Sequence, residues 1–356
     1  TSLRFIAALW VALFAYWPAL DIDVMPSVVS KGYLGVELFF VLSGFILCHV
    51  YLERFGTGQL NYRSFLWARV ARVYPMHMAT LIGIGLLGAA AAVAGIGFSD
   101  NVLGWTSLPA HIFMVQAWGL APEASWNHPS WSISAEWFAY LAFPVFAAMT
   151  WVLRTRPLVA VASALIFLAG LYAGFEALAG FPLTRAMIAW GALRIVPCFA
   201  FGCALYLVHR RRQLPRPGLI AAFMAILLLV AAQSGVWDGL IVMVCGGLIL
   251  ALASLPNSRA GVLASPAGVY LGEISYSLYM MVVPWKLVSV NLASRLTGTT
   301  DDRLHLIVWL AIFAALPVVS AIAYHLVEYP ARKAMRDWGQ RRENAKSRGS
   351  DVVPAL

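Results

Sequence analysis

Few residues of this 356-residue chain could do chemistry, because only 12% of its side chains are charged. Arg69 and Arg72, in ARVARVYP, stand three apart and share a helical face. Paired guanidinium groups grip phosphate oxygens through charge-assisted bidentate bonds. Topology and lipid-headgroup binding are the duller reading of the pair, and Arg4, as a third cation near the same membrane surface, favours a phosphate cluster. Arg4 opens RFIAALWVALFAYWP, where eleven residues of helix return to within about 20° of the starting face and rise about 16.5 Å. The residue reached is Ala15, a bare methyl among larger aromatic neighbours.

Two carboxylates are expected near the depth of position 15. Glu37 lies early in GYLGVELFFVLSGFILC and Glu136 early in SWSISAEWFAYLAFP. A carboxylate there can orient and charge-stabilise a histidine on a neighbouring helix, while a structural ion pair or a protonated acid is the alternative for Glu37. Trp126, Asn127, His128 and Trp131 form a rim suited to stacking on a sugar, although tryptophan also belongs to the ordinary membrane belt. Ser275, Tyr276, Ser277 and Tyr279 either line a polar path or serve helix packing, as Ser43 and Gly44 are expected to do. Arg194 has no obvious partner, and Glu328 is expected to pair with Arg4 or Arg332. No histidine or cysteine has metal-ligand spacing, so no metal is expected.

The elements that must carry these groups are membrane helices. The chain is 61% hydrophobic with a mean hydropathy of +0.78, far more apolar than a soluble domain. Runs of about 20 apolar residues recur, each long enough to cross about 30 Å of hydrocarbon. They predict an all-α polytopic protein of about ten spans, near 3–20, 33–52, 76–97, 131–153, 157–179, 188–208, 217–234, 236–254, 269–292 and 304–327. With both termini cytoplasmic, Arg54, Arg63, Arg154, Arg156, Arg210 to Arg212, Arg216 and Arg259 fall inside, whereas Asp21, Asp23, Asp100, Glu123, Asp301 and Asp302 fall outside. Clustering of the +9 formal charge between apolar runs therefore encodes topology and excludes nucleic acid as a partner. Residues 103–120 are apolar but broken by Pro109, His111 and Gln116, and read as an interfacial or re-entrant element. Residues 1–336 make one transmembrane domain; 337–356 read as a polar, disordered cytoplasmic tail. Cys48, Cys198, Cys203 and Cys245 sit in apolar runs as small buried hydrophobes.

Taken together, the motifs resemble acyltransferase family 3 of integral membrane O-acyltransferases. The resemblance rests on GVELFFVLSGF at 35–45, the Arg69/Arg72 pair, PSWSISAEWFAY at 129–140, ISYSLYMMVVP at 274–284, VEYP at 327–330 and the Arg4-to-15 spacing. It implies a ten-helix enzyme of the bacterial inner membrane that moves an acyl group, commonly acetyl, from cytoplasmic acyl-coenzyme A to a hydroxyl of a saccharide or glycolipid. Arg4, Arg69 and Arg72 would hold the coenzyme, and a histidine at position 15, backed by Glu37 or Glu136, would act as general base. Trp126, Asn127, His128, Trp131 and Tyr279 would meet the acceptor, with membrane lipids around the bundle.

Two positions depart from the family pattern. Ala15 replaces the histidine and cannot accept a proton, so the chain as written reads as an inactivated variant, engineered or natural. Val282 stands where members often carry another histidine. A missing soluble domain argues against the fused members that act on lipopolysaccharide or peptidoglycan. A transporter or flippase for a polar lipid or saccharide is the competing class, but neither an inverted repeat nor matching broken helices are evident. The unrelated membrane-bound O-acyltransferase fold would place its histidine elsewhere.

Overall fold

The computed structural model describes residues 2–95, 102–211, 214–256, 261–298 and 303–350, without the side chains of 262 and 343–350. Twelve helices carry the architecture. They are α1 (Ser2–Tyr16), α2 (Gly35–Gly56), α3 (Tyr62–Val93), α4 (Trp131–Leu141), α5 (Phe143–Val152), α6 (Pro157–Ala179), α7 (Gly191–Arg211), α8 (Pro217–Gln233), α9 (Asp238–Ala253), α10 (Pro266–Thr297), α11 (Leu306–Ala323) and α12 (Tyr329–Ser350). The described residues form no strand; one isolated bridge ties Leu20 to Leu304. Among the described residues six helices are long and apolar enough to cross a bilayer, or seven when the bent pair α4 and α5 counts as one span. The chain is thus an all-α, multi-pass membrane protein.

Local sequence explains most boundaries. Pro18 stops α1 in a 3-10 turn, Trp17–Ala19, and Gly180 and Gly298 end α6 and α10 in the left-handed conformation, at φ 77° and 71°. Asn61 and Ser265 cap α3 and α10 by accepting from the amides of Ser64 and Gly268. Since Asn61 starts α3 so early, Arg69 and Arg72 ride inside that helix rather than ahead of a span beginning near 76. The predicted span 131–153 is two helices bent by 56° at Ala142, with Pro144 in the first turn of the second. Residues 103–120 break into the short turns Trp105–Ser107, Leu108–Ile112 and Gln116–Trp118 and make no span.

At the centre, α2 packs on α7 with almost no side chain between them. A Cβ on Gly202 would fall inside contact distance of the Val41 carbonyl oxygen, and one on Gly44 would meet that of Phe199. Such glycine-mediated approach is how helices associate without a hydrophobic driving force. The four cysteines are buried thiols. Residues 337–350, expected to be disordered, continue α12, where Trp338 packs on Trp67 at 4.8 Å and the Trp67 indole donates to the Met335 carbonyl at 2.8 Å. Residues 351–356, Asp100, Arg212, Arg259, Asp301 and Asp302 lie outside the described residues.

Candidate active site

A cavity of about 250 Å³ opens beside the first turn of α1. Arg4 from α1, Arg69 and Arg72 from α3, Glu136 and Tyr140 from α4, Ser43 from α2, and Tyr276 and Tyr279 from α10 line it. The three arginines are therefore brought together, and Arg4 feels the charges of Arg72, Arg69 and Glu136. Their surroundings differ. Arg72 faces the Glu328 carboxylate at 3.4 Å and the Tyr276 ring at 5.9 Å. Arg69 lies among the rings of Tyr51, Phe65 and Tyr140 at 5.7–5.9 Å, has one long bond to the Tyr51 hydroxyl at 3.4 Å, and its buried Nε–H has no partner among the described residues. Cations gathered in an apolar bundle without matching carboxylates are costly unless an anion joins them. An orphaned guanidinium N–H is the donor such an anion would take.

Glu136 is the one carboxylate lining this cavity among the described residues. Its Oε1 accepts from the Ser43 hydroxyl at 2.7 Å, so Ser43 supports the site besides allowing close packing. Tyr140 is one turn from Glu136 on the same face of α4. The Ser132 hydroxyl donates to Tyr279 at 2.8 Å, and the Tyr279 hydroxyl donates to the Pro129 carbonyl at 3.0 Å. No cluster of three or more His, Cys, Asp or Glu side chains suited to a metal ion occurs among the described residues.

Neither carboxylate backs position 15. α1 and α2 run antiparallel, since Gly32 abuts Trp10 and Phe14 while Gly35 abuts Ala7 and Val11. Counting 1.5 Å per residue from that contact, Ala15 and Glu37 are about 12 Å apart along the axis. Glu37 is instead fully buried against Arg194, whose Nε donates to Oε1 at 2.5 Å. Arg194 also donates to the Ala186 carbonyl at 2.8 Å and stacks over Trp131 at 4.5 Å, which gives the sixth-span arginine its partner. Ser43, through which Glu136 is held, is a further eight residues along α2 from Gly35, so Glu136 belongs at the Arg4 end, about 20 Å from Ala15. The half-buried Ala15 has Lys286 donating to its carbonyl at 2.7 Å, as Trp309 does to Tyr16 at 2.8 Å. These bonds cap the last carbonyls of α1.

The expected aromatic rim is mostly interior. Trp126 donates to the Gly104 carbonyl at 2.9 Å, and Asn127 donates to Thr80 at 3.0 Å and Met280 at 2.9 Å. Trp131 packs on Phe40 and under Arg194, His128 is half-buried off the cavity, and of the five proposed acceptor residues Tyr279 alone lines it. Trp126, Asn127, His128 and Trp131 read as a membrane-surface rim because sequence order does not show that the segment before α4 folds back onto α3 and α10. Tyr140 was missed, although the i,i+4 spacing of Glu136 and Tyr140 was an available signal, and Ser43 was expected only to serve helix packing. Glu328 pairs with Arg332 at 3.6 Å as expected, but its other cation is Arg72 rather than Arg4. Val282 is buried and its carbonyl accepts from the Tyr16 hydroxyl at 2.9 Å.

The chain is similar to known acyltransferases. A family model described as an acyltransferase domain matches residues 1–327. The acyltransferase MdmB of Streptomyces mycarofaciens is 27% identical over 92% of this chain and 88% of its own length. The putative peptidoglycan O-acetyltransferase YrhL of Bacillus subtilis is 24% identical over 85% of this chain and 51% of its own. The peptidoglycan O-acetyltransferase OatA of Listeria monocytogenes is 23% identical over 86% and 52%. The chain thus spans about half the length of these two peptidoglycan relatives. No solved structure matches it significantly.

Proposed function

We propose that this chain, which belongs to acyltransferase family 3, moves an acyl group from a coenzyme A thioester to a hydroxyl of a saccharide or glycolipid. The observation that carries the donor is the cavity in which Arg4, Arg69 and Arg72 converge with a single lining carboxylate and an orphaned Arg69 Nε. An anion bearing several phosphate oxygens satisfies these donors and offsets their mutual repulsion. The phosphates would lie at the Arg4 end, with the acyl arm directed along α1 toward position 15. Two relatives named for peptidoglycan O-acetylation support a sugar hydroxyl as acceptor and acetyl as the group. A ten-span bundle with both termini cytoplasmic, in a bacterial inner membrane, would present the arginines to cytoplasmic donor.

In the reaction the acceptor oxygen attacks the thioester carbonyl, its proton passes to a base, the new C–O bond forms and the C–S bond breaks to release coenzyme A thiol. Position 15 is where the base would stand, and alanine there leaves the chain silenced. A histidine restored at 15 would have the Lys286 ammonium nearby. That cation disfavours a protonated imidazole and so keeps it in the basic form. The test is transfer from labelled acetyl-coenzyme A to sugar acceptors by the Ala15→His protein in proteoliposomes. Label in the acceptor is expected; an inactive but folded protein would refute the assignment of position 15.

A further inference from the structure

We infer that Glu328 is a positioning residue that sets Arg72 for the donor, leaving Arg4 and Arg69 to carry the charge of the ligand. The inference rests on the donor reading of the cavity. Glu328 is fully buried, yet both its oxygens are engaged: Oε2 accepts from the Ser277 hydroxyl at 2.6 Å, and Oε1 faces Arg72 at 3.4 Å and Arg332 at 3.6 Å. The Tyr276 hydroxyl donates to the Val73 carbonyl at 2.6 Å, which pins the ring beside Arg72 to the same helix. Arg72 is thus held from both sides, whereas Arg69 has only rings and one long hydroxyl contact.

The backbone is built to place this carboxylate. From α11 into the turn that follows it, the buried stripe Leu316, Ser320, Tyr324, Glu328 advances in steps of four, which drift about 40° each in an α-helix. Tyr324–Glu328 is a π-helical turn, and its extra residue per turn takes up that drift and keeps Glu328 facing the bundle. A carboxylate carried there neutralises Arg72 and fixes its direction at once. Ligand charge is then left for Arg4 and Arg69, which pair with no carboxylate among the described residues, consistent with the orphaned Nε of Arg69.

Calorimetric titration of coenzyme A into the detergent-purified full chain, with Glu328→Ala, Glu328→Gln, Arg72→Ala and Arg72→Ala/Glu328→Ala variants, tests this. Glu328→Ala should weaken binding about tenfold when Arg72 is present and less than about twofold when it is absent, the non-additivity of residues acting as one unit. Glu328→Gln keeps an acceptor for Ser277 and Arg72 and should lose no more than about threefold. A loss of equal size in both Arg72 backgrounds, the signature of a merely structural glutamate, would overturn the inference, as would no loss at all. If the unsubstituted protein fails to bind coenzyme A, the donor reading falls instead. Melting temperatures of the same proteins then decide the pairing, with non-additive shifts upholding it and additive shifts overturning it.

Discussion

Replacing Arg69 by alanine isolates the anion-binding claim. Arg69 spends little of its hydrogen-bonding capacity on the protein: one bond at 3.4 Å to Tyr51 and an Nε–H with no partner. Nearly all of it remains for a ligand. A hydrogen bond to a charged group is worth about 1.5–3 kcal/mol, so Arg69→Ala should weaken coenzyme A binding about 10- to 150-fold. Stability should move differently. The substitution forfeits ring contacts with Tyr51, Phe65 and Tyr140, but it also relieves repulsion with Arg4, so the melting temperature should change little. Arg69→Lys, which keeps the charge and loses the planar fork, should fall between. Calorimetry against coenzyme A in detergent, paired with thermal melting, reads both quantities. Affinity within about threefold of the unsubstituted protein would refute the phosphate role, since no charged hydrogen bond is worth so little.

Other substitutions separate structure from chemistry. Arg194→Ala strands the buried Glu37 charge and should cost about 3–5 kcal/mol, largely recovered by adding Glu37→Leu; a smaller loss on thermal melting would return Glu37 to the list of catalytic candidates. Gly202→Ala forces a methyl onto the Val41 carbonyl and should destabilise by at least about 1–3 kcal/mol, whereas Gly170→Ala, facing open space, should not. His111 lies outside the spans with Nδ1 donating to the Ser107 carbonyl at 2.9 Å, and burial pushes its pKa down. Because the fold favours neutral imidazole, its contribution is full above the unfolded value of about 6.5 and is lost as pH falls below it. Melting at pH 7.5 and pH 5 should show that loss, and His111→Gln should reduce it; an unchanged pH dependence would contradict the argument.

The all-α, multi-pass character was readable because a bilayer demands long apolar runs, and among the described residues six or seven helices are long and apolar enough to cross one. The Arg69/Arg72 pair was readable from its three-residue spacing, which puts both guanidinium groups on one helical face, but not its place inside α3, which Asn61 starts ahead of the apolar run. Depth was not readable. Glu37 and Glu136 were assigned to the level of position 15 from distances to span ends. The offset between α1 and α2, set by Gly32 and Gly35 against α1, shifts Glu37 by two turns of helix, and the Ser43 bond carries Glu136 to the Arg4 end. Partners across helices left no trace in the chain either: nothing in sequence order links Arg194 to Glu37 or Arg72 to Glu328, separated by 157 and 256 residues. The acceptor rim failed because a belt tryptophan and a folded-back interior tryptophan look alike until the loop is placed.

We propose that the arginine cavity delivers an acyl group to a sugar hydroxyl once a base stands at position 15. Mass spectrometry of surface saccharides from cells making the Ala15→His protein, with and without Arg69→Ala, tests it most directly because acyl group and acceptor are read together. An added acetyl mass on a saccharide that disappears with Arg69→Ala is the predicted result. Saccharides unchanged by a folded Ala15→His protein, or acetylated equally without Arg69, would contradict it.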